Sequence, residues 1–244
     1  MKGASMFVGH LALGLVAKRT EPKISLGAWM LAVLLADLLC FAFLIAGIEH
    51  FDVEPEVARN RFVALNFVRN IFFAYSHSLL TNAIWAALFA AAYFLWRRYA
   101  RGAWLLFAGV LSHWPLDFVS HNPDMPLAPG TSAVYGLGLW NSIPATLIIE
   151  GGFWVLAITL YVRATRPKKR AGIYAFWPVI ALFTLLWYGN IKRGIDPNPV
   201  RAGLNGLIFC SLLVAWAYWM NRLRPAQEEI IHGLESISRG GKKS

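Results

Sequence analysis

Six stretches of this chain stay predominantly apolar for about 17–25 residues, the length that crosses a hydrocarbon core about 30 Å thick. They run Ile24–Ile48, Ile71–Leu95, Ala103–Val119, Ile143–Val162, Ile173–Ile191 and Gly203–Met220. In lipid such a run must be helical, because a strand would leave its backbone N–H and C=O groups with no partner. Composition agrees: 57% of the 244 residues are hydrophobic and only 15% are charged, against roughly 25% charged in a soluble domain. The fold class that follows is all-α, a polytopic transmembrane bundle of six strong spans. A seventh segment, Met6–Ala17, is too short to span unless it starts earlier or tilts, and spanning and re-entrant placements both fit it. Lys18 and Arg19 follow it where a signal peptide would carry a small-residue cleavage site. Residues 1–224 read as one transmembrane domain and 225–244 as a polar tail.

Charge gives the expected orientation. The net charge of +10 is confined to short clusters between apolar runs, which argues for membrane topology and against nucleic acid. Lys18, Arg19 and Lys23, then Arg97, Arg98 and Arg101, the run Arg163–Arg170, and the tail from Arg222 hold sixteen of the 23 Lys and Arg. The alternate loops hold six, with most of the loop acids. The basic set is expected to face the cytoplasm, placing the protein in the cell's inner membrane with a cytoplasmic C-terminus. Phe51–Asn70 mixes apolar and charged residues at near-helical spacing and reads as an interfacial helix. Asn122–Trp140, rich in Pro and Gly, reads as an ordered loop on the outer side.

Ionisable groups inside apolar runs need partners, since burying one unpartnered costs several kcal/mol, and they default to functional sites. His10, Asp37, His77, His113, Asp117 and Glu150 are such groups. At about 1.5 Å rise per residue, His77 and His113 lie roughly 9 Å from the outer end of their spans, Asp117 roughly 3 Å and Glu150 about 10 Å. Asp37 is deeper, at about 16 Å. With His10, which lies in the outer half if its segment runs from outside to inside, five of the six converge on one layer of antiparallel helices. His113, Asp117 and His121 repeat every four residues and share one helix face. Such a stripe suits a divalent metal, which wants several N and O donors on a rigid support. It also suits a helix end that merely reaches water, and Pro115 should kink the helix there. The hydroxyls of Ser76 and Ser78 flank His77 and can orient its ring. Glu150 reads either as a ligand or as a protonated structural carboxyl. His121 and Asp124 lie nearest the outer water, as proton shuttle, outer ligand or solvated groups. Glu49 and His50, at a span boundary, are expected in solvent. Cys40 and Cys210 make neither a disulfide framework nor a thiolate site.

A His near the N-terminus, an Asp in the second hydrophobic segment, a Ser-His-Ser opening the next and then His-x-x-x-Asp resembles the inner-membrane family known as metal-dependent hydrolases. That family is similar to zinc-dependent phospholipase C and P1-type nucleases. The matching positions are His10, Asp37, His77, His113 and Asp117, and the similarity covers about residues 6–121. It implies a zinc site with His113 ligating and Asp117 bridging. The second Asp and the additional His that the family often carries are replaced here, where the flanking residues are Ala36, Leu38, Phe73 and Ala74. One or two ions therefore fit better than three.

The expected function is metal-dependent hydrolysis of a phosphoester, borne by a lipid and reached from the outer side, with His113 and Asp117 central to the chemistry. A metal there would activate water at neutral pH. No Ser-His-Asp set, Gly-rich phosphate loop or nucleophilic Cys is apparent. The rival from another class is a non-enzymatic membrane protein, either a metal-stabilised scaffold or an ion or proton carrier. No inverted repeat supports the carrier.

Overall fold

A computed structural model describes residues 8–53, 68–190 and 198–227 of the chain. In chain order the helices are α1 (Val8–Thr20), α2 (Leu26–Val33), α3 (Leu35–Ile45), α4 (Ala74–His77), α5 (Leu79–Arg97), α6 (Ala100–Leu111), α7 (His113–Ser120), α8 (Ile143–Ala164), α9 (Ala171–Tyr174), α10 (Trp177–Asn190) and α11 (Pro199–Leu223). Two short antiparallel ribbons interrupt them: β1 (His50–Val53) with β2 (Val68–Phe72), and β3 (Met125–Pro126) with β4 (Val134–Tyr135).

The chain is mostly helical, but the six expected spans do not all appear as span-length helices. Four stretches are long and apolar enough to cross a membrane: α5, α8, Ala171–Gly189 and α11. A fifth is reached only if α2 and α3, bent by 55° at Leu34, count as one span. The Ala103–Val119 run is divided between α6 and α7. Pro115 accounts for that break: it has no N–H for the Leu111 carbonyl, so the helix restarts at His113, with Pro115 in a first turn whose N–H groups need no helical partner. The described part of the first segment, α1, is 13 residues long.

Local signals set the ends of the long helices. The side chains of Ser78, Ser142 and Asn198 cap α5, α8 and α11 by accepting from the backbone N–H of Thr81, Ala145 and Arg201. Pro199 stands in the first turn of α11 and Pro144 in that of α8, where a missing N–H costs nothing. Arg98, at φ 51°, closes α5.

The short helices lie inside. Seven of the eight residues of α2 are buried, as are His10, Leu11, Ala12, Gly14 and Leu15 of α1. Around this pair α1 packs on α8, α2 on α6 and α11, α3 on α11, and α5 on α6. Apolar burial is a weak driving force between helices in lipid, so close contact must come from small residues. Gly206 is one: a Cβ there would lie 2.5 Å from the Phe41 ring, so only glycine lets α11 sit this close to α3.

The Phe51–Asn70 stretch departs from the expected interfacial helix at both ends, where β1 and β2 pair with Asp52 opposite Arg69; its middle lies outside the described residues. The tail beyond residue 227 lies outside them too. The Asn122–Trp140 loop is ordered, as its Pro and Gly content suggested. Leu137 N–H donates to the Phe118 carbonyl at 2.7 Å and Gly138 N–H to that of His121 at 2.6 Å. A Cβ on Gly136 would lie 2.2 Å from the Asn122 carbonyl oxygen, which explains the glycine.

Candidate metal centre

Three of the helices that carry polar groups are interrupted where those groups lie. Asp37 stands in the first turn of α3, just past the break at Leu34. His77 ends α4 immediately before the break at Ser78, and His113 opens α7 after the break at Ser112. A broken helix exposes backbone groups that an intact one would pair internally. In a dry interior each such group must find another partner.

His113 meets one of them. Its Nδ1 lies 2.9 Å from the carbonyl oxygen of Val33, the last residue of α2. A carbonyl only accepts, so Nδ1 carries a hydrogen, and in the neutral ring Nε2 keeps a bare lone pair. That lone pair points at Asp117 Oδ2 at 3.1 Å and at His77 Nε2 at 3.3 Å.

His77 is held in the same sense. The Ser76 hydroxyl donates to Glu49 Oε2 at 2.7 Å, and its oxygen lies 2.7 Å from His77 Nδ1. The single hydroxyl hydrogen is used on Glu49, so His77 Nδ1 donates and Nε2 is again bare. It faces Asp117 Oδ2 at 3.7 Å and Asp37 Oδ1 at 3.8 Å, and the latter is also 3.8 Å from His113 Nε2. With both rings neutral, two imidazole lone pairs and two carboxylates converge with no hydrogen between the imidazole nitrogens. Only added positive charge, from protons or a metal ion, relieves that arrangement.

His10 joins from α1. Its Nε2 lies 3.0 Å from Asp117 Oδ1, and its ring stacks on His113 with centroids 3.9 Å apart and planes 1° from parallel. Asp117 therefore divides its oxygens, with His10 on Oδ1 and His113 and His77 on Oδ2. Two buried atoms in the cluster have no hydrogen-bond partner among the described residues, His10 Nδ1 and Asp37 Oδ2. His10, Asp37 and His113 have ligand atoms mutually within 4.8 Å, as do His77, His113 and Asp117. Donor type, convergence and orphaned buried atoms all fit a divalent cation. Four of the five residues are buried, and the Asp37 side chain, 17% exposed, is the most open.

The structure thus brings together all five positions of the sequence motif. It leaves the other candidates at the rim or beyond. His121 is the C-cap of α7 and leaves the helical stripe, with φ −75° and ψ 156°. Its Nε2 stops 4.0 Å from Asp117 Oδ1, while its Nδ1 lies 3.1 Å from Asp124 Oδ1. Burial alone would depress its pKa, but the hydrogen bond it donates to Asp124 and the charge of Asp117 raise it above the ordinary value. Asp124 reaches the cluster only through His121. Glu150 lies beside the cluster, close to Ser120 and within the field of Asp117, but indoles occupy its oxygens: the N–H of Trp140 donates to its Oε1 at 2.7 Å and that of Trp187 to its Oε2 at 3.1 Å. Its depth matched the cluster, but its two oxygens join α8 to α10 and to the loop end at Trp140, whose ring lies 4.6 Å from that of His121.

Glu49 corrects the expectation of a solvated boundary residue. It is 1% exposed, and its Oε1 accepts the backbone N–H groups of Tyr75 at 2.9 Å and Ser76 at 2.8 Å. No local pattern flags it, because its partners lie 26 and 27 residues further on. His50 is exposed, as expected. Comparison of the chain with family models, curated proteins and solved structures finds no match to any of the three.

Proposed function

We propose that this chain is a membrane-embedded, divalent-metal-dependent hydrolase acting on a phosphoester carried by a lipid. The observation that carries the proposal is the convergence of two imidazole Nε2 atoms and two carboxylates, the rings oriented by hydrogen bonds on their far sides. Purely structural histidines have no need of lone pairs aimed at one another. The resemblance of the same five residues to the metal-dependent hydrolase family supports the same chemistry, with zinc as the expected ion.

His77, His113 and Asp117 would hold one ion, and His10, Asp37 and His113 are a second set of donors mutually within 4.8 Å. A bound divalent ion would supply Lewis acidity and activate water for attack on a phosphoester. Asp117 touches both sets, with His10 on Oδ1 and His77 and His113 on Oδ2. His121, fixed by Asp124 and held at the rim, is placed to take a proton from that side. The basic loops support an inner-membrane placement with the C-terminus in the cytoplasm and the 122–140 loop outside. The substrate is then a phospholipid or isoprenoid phosphate of the outer leaflet, and no nucleic acid is involved.

The test is metal analysis of the detergent-purified protein, followed by hydrolysis of a panel of phospholipids and isoprenoid phosphates with added zinc or manganese. Asp117→Asn should keep the fold, weaken metal binding, and cut turnover by orders of magnitude. Equal rates for wild type and variant, or bound metal with no turnover on any substrate, would replace the hydrolase with a metal-stabilised scaffold.

A further inference from the structure

We propose that Glu49 is a positioning residue that sets, through Ser76, which nitrogen of His77 faces the centre. The inference rests on the metal-centre reading of His77 and extends it to a buried acid with no place in the sequence motif. Glu49 lies on the turn after α3, and both its oxygens are engaged by donors at the start of α4. Oε1 takes two backbone N–H groups, so it is fixed in place. Oε2 takes the Ser76 hydroxyl hydrogen. That leaves the Ser76 oxygen as the acceptor facing His77 Nδ1, and the neutral ring must carry its hydrogen there. The direction of each hydrogen bond is forced by the one before it, from backbone to carboxylate to hydroxyl to imidazole. Partners of this outer kind fix tautomer and ring angle and strengthen the ligand.

Glu49→Gln separates this role from simple helix capping, because the two side chains match in shape. The amide oxygen must stay on the two backbone N–H groups, since an NH₂ there would meet two donors. The amide NH₂ then faces Ser76 and can only donate. Ser76 is pushed to give its own hydrogen to His77 Nδ1, which moves the ring hydrogen to Nε2 and points it into the centre. If His77 keeps its original tautomer, the Ser76 hydrogen is left with only the Cys40 sulfur, a weak acceptor, which also disfavours the ligating state. Ser76→Ala removes the link but leaves Glu49 on its backbone donors, so its effect should be smaller.

The experiment loads the full-length, detergent-purified protein with Co²⁺. It compares the visible absorption spectrum and the Kd from chelator competition for wild type, Glu49→Gln, Ser76→Ala and His77→Ala, with thermal melting as the check on folding. Glu49→Gln should melt like wild type, shift the cobalt spectrum toward that of His77→Ala, and raise Kd by about 10–100-fold. Ser76→Ala should fall between. A capping role alone leaves the Glu49→Gln spectrum and Kd at wild-type values, and that result overturns the proposal. If Glu49→Gln does not fold, a wild-type spectrum and Kd for Ser76→Ala overturns it instead. If wild type binds no cobalt, the metal reading fails by itself. The relay is then decided by ¹⁵N shifts of the His77 ring in metal-free protein: a hydrogen on Nδ1 in wild type that moves in Glu49→Gln supports it, and identical rings refute it.

Discussion

The short, broken helices at the centre and the long, continuous ones outside are built from equally apolar sequence, yet they solve different problems. In α5, α8 and α11, only 17%, 22% and 33% of the most apolar window is buried. Leu88, Ile148 and Leu212 are among the side chains they turn outward. Such helices pair their own backbone groups from end to end, which is what lipid demands. The inner set, α2–α3, α4 and α6–α7, breaks at Leu34, Ser78 and Ser112, and the groups freed there are put to use. The Val33 carbonyl orients His113, and the N–H groups of Tyr75 and Ser76 anchor Glu49. Lipid offers no partner for a broken helix, so breaks are tolerated only where protein surrounds them. The contrast shows why the polar centre sits among the shortest helices: a continuous helix has no spare backbone group with which to aim a side chain.

The largest effect expected from this contrast is on removing metal. Stripping the protein with a strong chelator should lower its stability by about 4 kcal/mol relative to free metal at a thousandfold excess over Kd. The loss should be local. Amide hydrogen exchange should rise in residues 33–37 and 112–117 and stay unchanged in the middle of α8 and α11. Equal loss of protection in both sets would mean that the inner breaks do not depend on the centre.

A smaller effect is expected at Glu150, the one buried carboxyl of the outer set. Glu150→Ala leaves the indole N–H groups of Trp140 and Trp187 buried and unpaired, at about 1–3 kcal/mol each. A lowered melting temperature with unchanged metal content would mark Glu150 as a tie between helices; lost metal would move it into the centre. The smallest effect belongs on the exposed apolar face. Leu185 is 70% exposed, and Leu185→Ala should change stability by no more than about 0.5 kcal/mol. A change several times larger, measured by the same melting experiment, would show that this face packs against protein.

Much of the outer set was legible because it follows from local composition. A run such as Ile143–Val162 has one stable conformation in lipid, and its start coincides with that of α8, whereas α11 begins at Pro199, ahead of the expected Gly203. Pro115 announced a break, though not that Ala103–Val119 would divide into two helices. The break at Leu34 was hidden, since neither Pro nor Gly marks it and its neighbours Val33 and Leu35 are as apolar as any in the chain. Counting turns from span ends therefore placed Asp37 too far from its partners, and grouped Glu150 with them by depth alone. Depth ranks residues along a helix and says nothing of the direction in which they face.

From residue types alone, the chain was bound to be helical and to find partners for every ionisable group in its apolar runs. That requirement picked out His10, Asp37, His77, His113 and Asp117, because the cost of burying a charge does not depend on the fold. Ser76, beside His77, could be named from the sequence, but the other partners depended on the fold. The Val33 carbonyl acts on a residue 80 positions away and the Glu49 carboxylate on one 27 positions away. Hydrogen bonds act over about 3 Å, and only tertiary packing brings distant positions within that reach.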